Sequence, residues 1–378
     1  MDGKRTRGVK TFVPLDACVN QMINVTQTYL PPFDEYTRIL QRAWDAKWIT
    51  NNGQLVRELE ERLKDYLKVQ HLLFTTNGTV VLQMALKALG KRGEIITTPF
   101  SYVATTNAIL WEGCQPVFAD VLPDTFSISP ESVEQCITEN TIAILATHVY
   151  GLACEIDRIE KIAAKHGLKV IYDGAHAFGS LHQGRSLLSY GDISTCSFHA
   201  TKLFHTVEGG CIIAKDEDTF QKLKHYRSFG HYGDEYFDIG INGKNSEFHA
   251  AMGLAVFPYI PHILERRKAL SLRYRSLLAG LHLQFPDGMT AEEYNYAYFP
   301  VLFNNEAEMT RVKDALSHEQ IHTRRYFFPS LNQLPFLETV QPCPISENAS
   351  SRVLCLPLYP DLKESDQDRI VQILKSAL

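Results

Sequence analysis

The feature that most limits how this chain can fold is a regular alternation, between His71 and Tyr226, of short apolar runs with longer amphipathic stretches. The runs His71–Thr75, Glu94–Thr98, Pro116–Ala119, Ile142–Thr147, Lys169–Tyr172, Ile193–Phe198 and Cys211–Ala214 have strand length. They lack a regular polar face, which predicts strands covered on both sides. Thr79–Leu89, Ser101–Leu110, Pro130–Thr138, Ile156–His166 and Asp218–Tyr226 read as helices between them. Ahead of the alternation, Asn51-Asn52-Gly53 caps a helix whose Leu55, Val56, Leu59, Leu63, Tyr66 and Leu67 recur at helical spacing. The pattern predicts an α/β fold with a mostly parallel central sheet and helices on both faces. Ligands of such sheets sit outside the carboxyl ends of the strands.

Beyond Glu247 a helical stretch bent at Pro258 and Pro261 runs toward Leu278, with Gly280 as its stop. Tyr296–Phe303, a helix around Met309–Leu316, Ile321–Tyr326 and a terminal helix around Ile370–Leu378 follow. We therefore expect an N-terminal tail over residues 1–21, a large ligand-binding domain over 22–260 and a smaller α+β C-terminal domain over 261–378, entered through the bridging helix. A 378-residue chain that is 45% hydrophobic can fill such cores. Its net charge of −5, from interspersed charges, argues against a nucleic-acid partner. No apolar run nears the roughly 18 to 20 residues of a membrane span. The eight cysteines, without C-x-x-C spacing, read as reduced core residues of a cytoplasmic protein. His199, His205, His225 and His231 lack metal-ligand spacing, so no metal is expected.

Three places have the residue types that chemistry needs. Asp173 ends the apolar run Val170-Ile171-Tyr172 and is followed by the small Gly174-Ala175 and by His176. A strand-end Asp is often only a turn cap. Lys202 follows the strand ending at Ser197-Phe198, near the same sheet edge, with Glu208-Gly209-Gly210 beyond it. A lone Lys is usually solvated, but one enclosed at a sheet edge has a lowered pKa and can form a Schiff base. Thr75-Thr76-Asn77-Gly78-Thr79 ends a strand and opens a helix, so free N–H groups and hydroxyls meet the positive helix terminus. Alone that is a capped helix start. Together, a phosphate seat, a strand-end carboxylate and a Schiff-base Lys are what pyridoxal phosphate (PLP) requires.

The sequence also resembles the DegT/DnrJ/EryC1/StrS sugar aminotransferases, over about residues 22 to 378. The resemblance rests on Tyr29-Leu30-Pro31-Pro32, Thr50-Asn51-Asn52-Gly53, Asn77-Gly78-Thr79, Thr98–Thr105, Asp173-Gly174-Ala175-His176, Ser197–Lys202 with Glu208-Gly209-Gly210, and Gly240–Lys244. It implies the aspartate-aminotransferase-like fold (PLP fold type I), with PLP in the large domain. By resemblance Lys202 is the catalytic Lys that carries the cofactor and shuttles protons, and Asp173 is the partner of its ring nitrogen. Tyr102 is the stacked ring, while Asn77, Gly78, Thr79 and Ser197 serve the phosphate and His176 lies beside the phenolic oxygen. Asn242 resembles a residue that reaches the phosphate from the other subunit, which implies a homodimer with shared sites.

Lys202 matters for reaction type, because related sugar dehydratases carry His there. The run Ser197–Lys202, with Arg227–His231 and Gly240–Glu247, resembles the branch that aminates C4 of a nucleotide-linked 4-keto-6-deoxyhexose. That implies glutamate as donor and dTDP-4-keto-6-deoxyglucose as acceptor, giving dTDP-4-amino-4,6-dideoxyglucose for O-antigen or other lipopolysaccharide synthesis. A UDP- or GDP-linked keto-sugar, and a non-catalytic regulator retaining the fold, are the alternatives. Arg227, His231, Arg324, Arg325 and Tyr326 are candidates to meet the substrate. Many members read Tyr-Tyr-x-Pro-Leu-His where this chain has Tyr326-Phe327-Phe328-Pro329-Ser330-Leu331-Asn332, so a family His is missing from the expected sugar wall.

Overall fold

A computed structural model describes residues 22–338 and 341–378; the expected tail over residues 1–21 lies outside the described residues. The predicted strands form one seven-stranded sheet: β1 (His71–Thr75), β2 (Glu94–Thr97), β3 (Gln115–Phe118), β4 (Thr141–Thr147), β5 (Lys169–Asp173), β6 (Ile193–Ser197) and β7 (Gly210–Ala214). Their spatial order is β1-β7-β6-β5-β4-β2-β3. β7 runs antiparallel to both neighbours and every other pairing is parallel. The expected α/β architecture is therefore present.

Alternation along each strand divides its side chains between two cores. Leu72 and Phe74 of β1, and Val170 and Tyr172 of β5, enter one cluster with Leu55, Leu59 and Leu63 of α2 (Gln54–Leu67) and Ile159 of α6 (Ile156–His166). Leu73 and Ile171, one residue out of phase, enter the other with Val81 and Met84 of α3 (Gly78–Ala88) and Ile109 of α4 (Val103–Trp111). Each face is dry, which is why these strands read as unbroken apolar runs.

α8 (Glu247–Val256) and α9 (Ile260–Leu277) are separated by a short 3-10 turn carrying Pro258, at the expected bend. α9 gives Ile260 and Ile263 to the first core but Leu270 and Tyr274 to a third. That third core is built on β8 (Phe299–Leu302), which pairs antiparallel with β9 (Val353–Leu356), and on α10 (Glu306–His318) and α12 (Glu364–Ala377). The strand expected over Ile321–Tyr326 is short. Only Ile321–His322 pairs, with Ile23–Asn24, after which an isolated bridge from Arg324 to Cys355 turns the chain away. α1 (Phe33–Asp45) and α11 (Pro344–Arg352) were not anticipated, although Tyr36, Ile39, Leu40 and Ala43 of α1 recur at helical spacing against the first core.

Glu247, fully buried, caps α2 from a distant part of the chain by accepting from the N–H groups of Leu55 (2.7 Å) and Val56 (3.2 Å). A Cβ at Gly53 would stand 2.5 Å from the Glu247 Cδ. Gly53 is thus needed for close approach. Gly53→Ala should lower stability by about 1 to 3 kcal/mol through overpacking, read as an earlier urea midpoint at equal protein concentration; an unchanged midpoint would refute the packing argument.

Candidate active site

The carboxyl ends of the strands frame a cavity of about 380 Å³ lined by Asn77, Gly78, Thr79, Tyr102, Asp173, His176, Ser197 and Lys202, and also by Tyr298, Arg324 and Tyr326. β1 delivers Asn77, whose side-chain oxygen accepts from Thr79 N–H (3.0 Å) and Val80 N–H (2.9 Å) to cap α3. β5 ends on Asp173 and β6 on Ser197, with Lys202 in the loop beyond. Tyr102 stands just ahead of α4 and is 61% exposed, leaving its ring open to a flat ligand. A larger polar depression of about 530 Å³, around Lys68, Gln70 and Lys215, lies at the opposite end of the sheet and gathers none of these groups.

The electrostatics follow from burial. Asp173 is 5% exposed, and desolvation pushes its carboxyl above the usual carboxylate range. Two hydrogen bonds oppose that shift: Ala175 N–H to Oδ1 (3.1 Å) and the Thr105 hydroxyl to Oδ2 (2.9 Å). Thr105 is itself joined to Ser101 (2.9 Å), and Ser101 to Thr147 (3.1 Å), so a buried hydroxyl chain runs away from the carboxylate. Burial lowers the Lys202 ammonium below its ordinary value. Burial, then Lys202, hold His176 well below the usual imidazole range, so that ring is neutral.

These residues fit a phosphate-bearing aromatic aldehyde. A Cβ at Gly78 would lie 2.8 Å from the Ser197 Cβ and 3.0 Å from its Oγ, so the seat at the start of α3 stays open only because that residue is Gly. A Cβ at Gly210 would meet the backbone of Asn77 at 2.8 Å, which explains the small residues after Glu208. His176 Nδ1 is buried with no partner among the described residues. Asp173 is a buried carboxylate that a protonated ring nitrogen would satisfy.

Other expected contacts lie elsewhere. Arg227 does not line the cavity; its guanidinium is buried, donating to Glu60 Oε1 (2.6 Å) and the Phe74 carbonyl (2.9 Å), so it stabilises the core rather than meeting a substrate. Arg325 donates to Glu306 (3.0 Å) and the Ser351 carbonyl (2.8 Å) and covers the Phe328 ring, again away from the cavity. His231 Nδ1 faces the Gly233 carbonyl at 3.0 Å in an exposed hairpin, and Asn242 is exposed, accepting from Lys244 Nζ (2.8 Å). Arg324 and Tyr326 do line the cavity.

Sequence reasoning assigned no role to Thr105, although it ends the quoted Thr98–Thr105 motif, nor to Glu208, which faces His199 at 3.5 Å on the cavity wall. It also missed Tyr298, brought in ahead of β8 from far along the chain with no local motif to announce it.

Comparisons with known proteins point to one family. The profile of the DegT/DnrJ/EryC1/StrS aminotransferase family matches residues 34–375. The chain is 39% identical over 367 residues to a dTDP-4-amino-4,6-dideoxy-D-glucose transaminase of Escherichia coli, covering 94% of this chain and 98% of that one. It is 30% identical over 359 residues to a GDP-perosamine synthase of Vibrio cholerae, covering 92% and 98%. The crystal structure of DesI in the presence of its TDP-sugar product superposes with a TM-score of 0.90 at 33% identity, covering 96% of this chain and 94% of that one.

Thr105→Val removes a donor that only the ionised Asp173 fully needs. The raised folded-state pKa means the carboxylate's burial cost is absent at low pH and develops as pH rises through that value. At neutral pH the variant should lose about 1.5 to 3 kcal/mol, the worth of a hydrogen bond to a charged group. The deficit should shrink as pH falls through the Asp173 pKa. Denaturant midpoints of both proteins across that range check this, and a pH-independent deficit would refute it.

Proposed function

Since the chain belongs to the DegT/DnrJ/EryC1/StrS aminotransferase family, we propose that it transfers an amino group from glutamate to C4 of dTDP-4-keto-6-deoxyglucose, using PLP held in the cavity described above. The observation that carries this reading is the convergence of Lys202, Asp173 and the start of α3 on one cavity. Bound there, the cofactor would supply an aldehyde that takes up an amino group and a protonated ring that draws electrons from the reacting carbon. The remaining chemistry belongs to the chain. Gly78, Thr79 and Ser197 bind the phosphate with the positive end of α3. Asp173 would hold the proton on the ring nitrogen, and the Thr105 hydroxyl favours the ionised form of Asp173. Tyr102 would cover the ring face, and neutral His176 would meet the phenolic oxygen. Lys202, its amine freed of charge more readily by burial, takes the proton from the donor's carbon and returns it on the acceptor's.

Arg324 and Tyr326 are left to meet the nucleotide sugar. We further propose a homodimer in which Asn242 reaches the partner's cofactor phosphate. Its exposure, and that of Phe229, Tyr232, Tyr236 and Ile239 on the same stretch, supports a covering subunit. Among the described residues no helix is long and apolar enough to cross a membrane. The 39% likeness to a dTDP-4-amino-4,6-dideoxy-D-glucose transaminase supports the dTDP substrate, and we propose that the product enters O-antigen or other surface polysaccharide synthesis. A GDP-linked keto-sugar is the second reading, supported by the 30% likeness to GDP-perosamine synthase.

Purified protein supplied with PLP should develop an absorbance band near roughly 400 to 430 nm that glutamate bleaches, and Lys202→Ala should lack it. Turnover with glutamate should favour the dTDP-linked 4-keto-6-deoxyglucose over its GDP- and UDP-linked counterparts. Preference for the GDP sugar would install the second reading, and absence of the band would overturn the cofactor assignment.

A further inference from the structure

Lys202 has an unusual set of neighbours for a lysine at the end of a sheet. No described carboxylate comes within ion-pairing distance of its Nζ, including Asp173 in the same cavity. Its one hydrogen-bond partner among the described residues is the Tyr298 hydroxyl, at 3.4 Å. The Tyr298 ring adds to the contact, with Nζ 5.9 Å from its centroid. That ring is fixed from three sides: His176 at 4.7 Å, Tyr326 edge-on at 5.4 Å and Tyr150 at 6.3 Å. Tyr298 is 6% exposed, and its carbonyl accepts from the Tyr294 hydroxyl at 3.2 Å.

A proton shuttle on a long, flexible side chain has a geometric difficulty. Lysine carries a large rotamer entropy, and proton transfer needs the amine within about 3 Å of the carbon it serves. A rigid acceptor beside the amine removes part of that freedom. We propose that Tyr298 is a positioning residue for Lys202: its hydroxyl and ring are the seat that holds the Lys202 amine whenever that amine is not covalently engaged. The proposal rests on the aminotransferase reading for its purpose, but the contact exists without it. It also gives β8, at the edge of the third core, a direct hold on the reacting group of the central sheet. Asn295 locks the segment leading to Tyr298, donating to the His176 (2.7 Å) and Phe178 (2.8 Å) carbonyls and accepting from Ala297 N–H (3.0 Å).

The other titratable groups that act on the amine are Asp173 and Cys196 on the strands beneath it, Tyr102 ahead of α4, and Tyr326; His176 is held neutral beside it. Tyr298→Phe leaves all of them, and the ring, in place. The amine can be titrated in the full-length protein cleared of bound aldehyde, by trace labelling with dinitrofluorobenzene across pH, scoring the Lys202 peptide by mass spectrometry against surface lysines. Losing the acceptor of its charged form should move the Lys202 midpoint down by about half a pH unit or more. In turnover, kcat should fall about tenfold with little change in KM for either substrate, because the ring and every other cavity-lining group stay in place and only one hydroxyl is lost. An identical Lys202 midpoint in wild type and Tyr298→Phe would overturn the proposal, as would an unchanged kcat. A shifted midpoint in a protein that forms no PLP band would strike the functional reading and leave the Tyr298 contact standing.

Discussion

Burial of the central sheet on both faces is the constraint from which the site follows. With helices against each side, the residues along the middle of β5 and β6 have no access to water, and most of them are accordingly apolar or small. Polar groups that are to meet a ligand can stand only where the strands run out. Thr147, Asp173 and Ser197 all do so at one edge, because β4, β5 and β6 are parallel and in register there. β7 returns antiparallel through the same edge, and its Gly210 lets the backbone of Asn77 pass closely enough for α3 to begin beside Ser197. Phosphate seat, carboxylate and lysine are neighbours because of strand order, although they lie far apart in sequence.

Within that edge, the ionisable groups are deliberately under-paired. Asp173 and Lys202 are enclosed together without forming an ion pair, and burial drives their pKa values toward each other, up for the acid and down for the base. The pattern suits a site whose missing charge arrives with a ligand: a protonated ring nitrogen for the acid, a carbonyl carbon for the amine. The buried pair elsewhere in the sheet layer makes the contrast. Arg227 and Glu60 meet at 2.6 Å and also bond the backbone of Phe74, so their charges are already paired with each other.

That contrast shows where the sequence was legible. The strands and the flanking helices of the large sheet were readable because their periodicity is a direct consequence of burial, and Asp173, Ser197 and the Asn77-Gly78-Thr79 cap were readable because they sit where an apolar run stops. Arg227 and Arg325 were misread as ligand contacts because a basic residue in a loop-like stretch looks the same whether it faces solvent, substrate or a buried carboxylate. Only Glu60, 167 positions away, decides the first, and only Glu306 with the carbonyls at the end of α11 decides the second. α1 is a different case, since its Tyr36, Ile39, Leu40 and Ala43 recur at helical spacing and pack on the first core, a period present in the sequence.

By itself the sequence determined the alternation that builds the sheet and the strand-end positions of its polar residues, both of which are local consequences of burial. Only the tertiary structure decided which of those ends adjoin, that Thr105 supports Asp173, and that Tyr298 stands over Lys202. Such contacts depend on strand order and on how a third core docks against the sheet edge, and residues 96 positions apart leave no periodic signal of their meeting. Spacing records what a segment does with water. Which segment it meets is fixed by the packing of the whole chain.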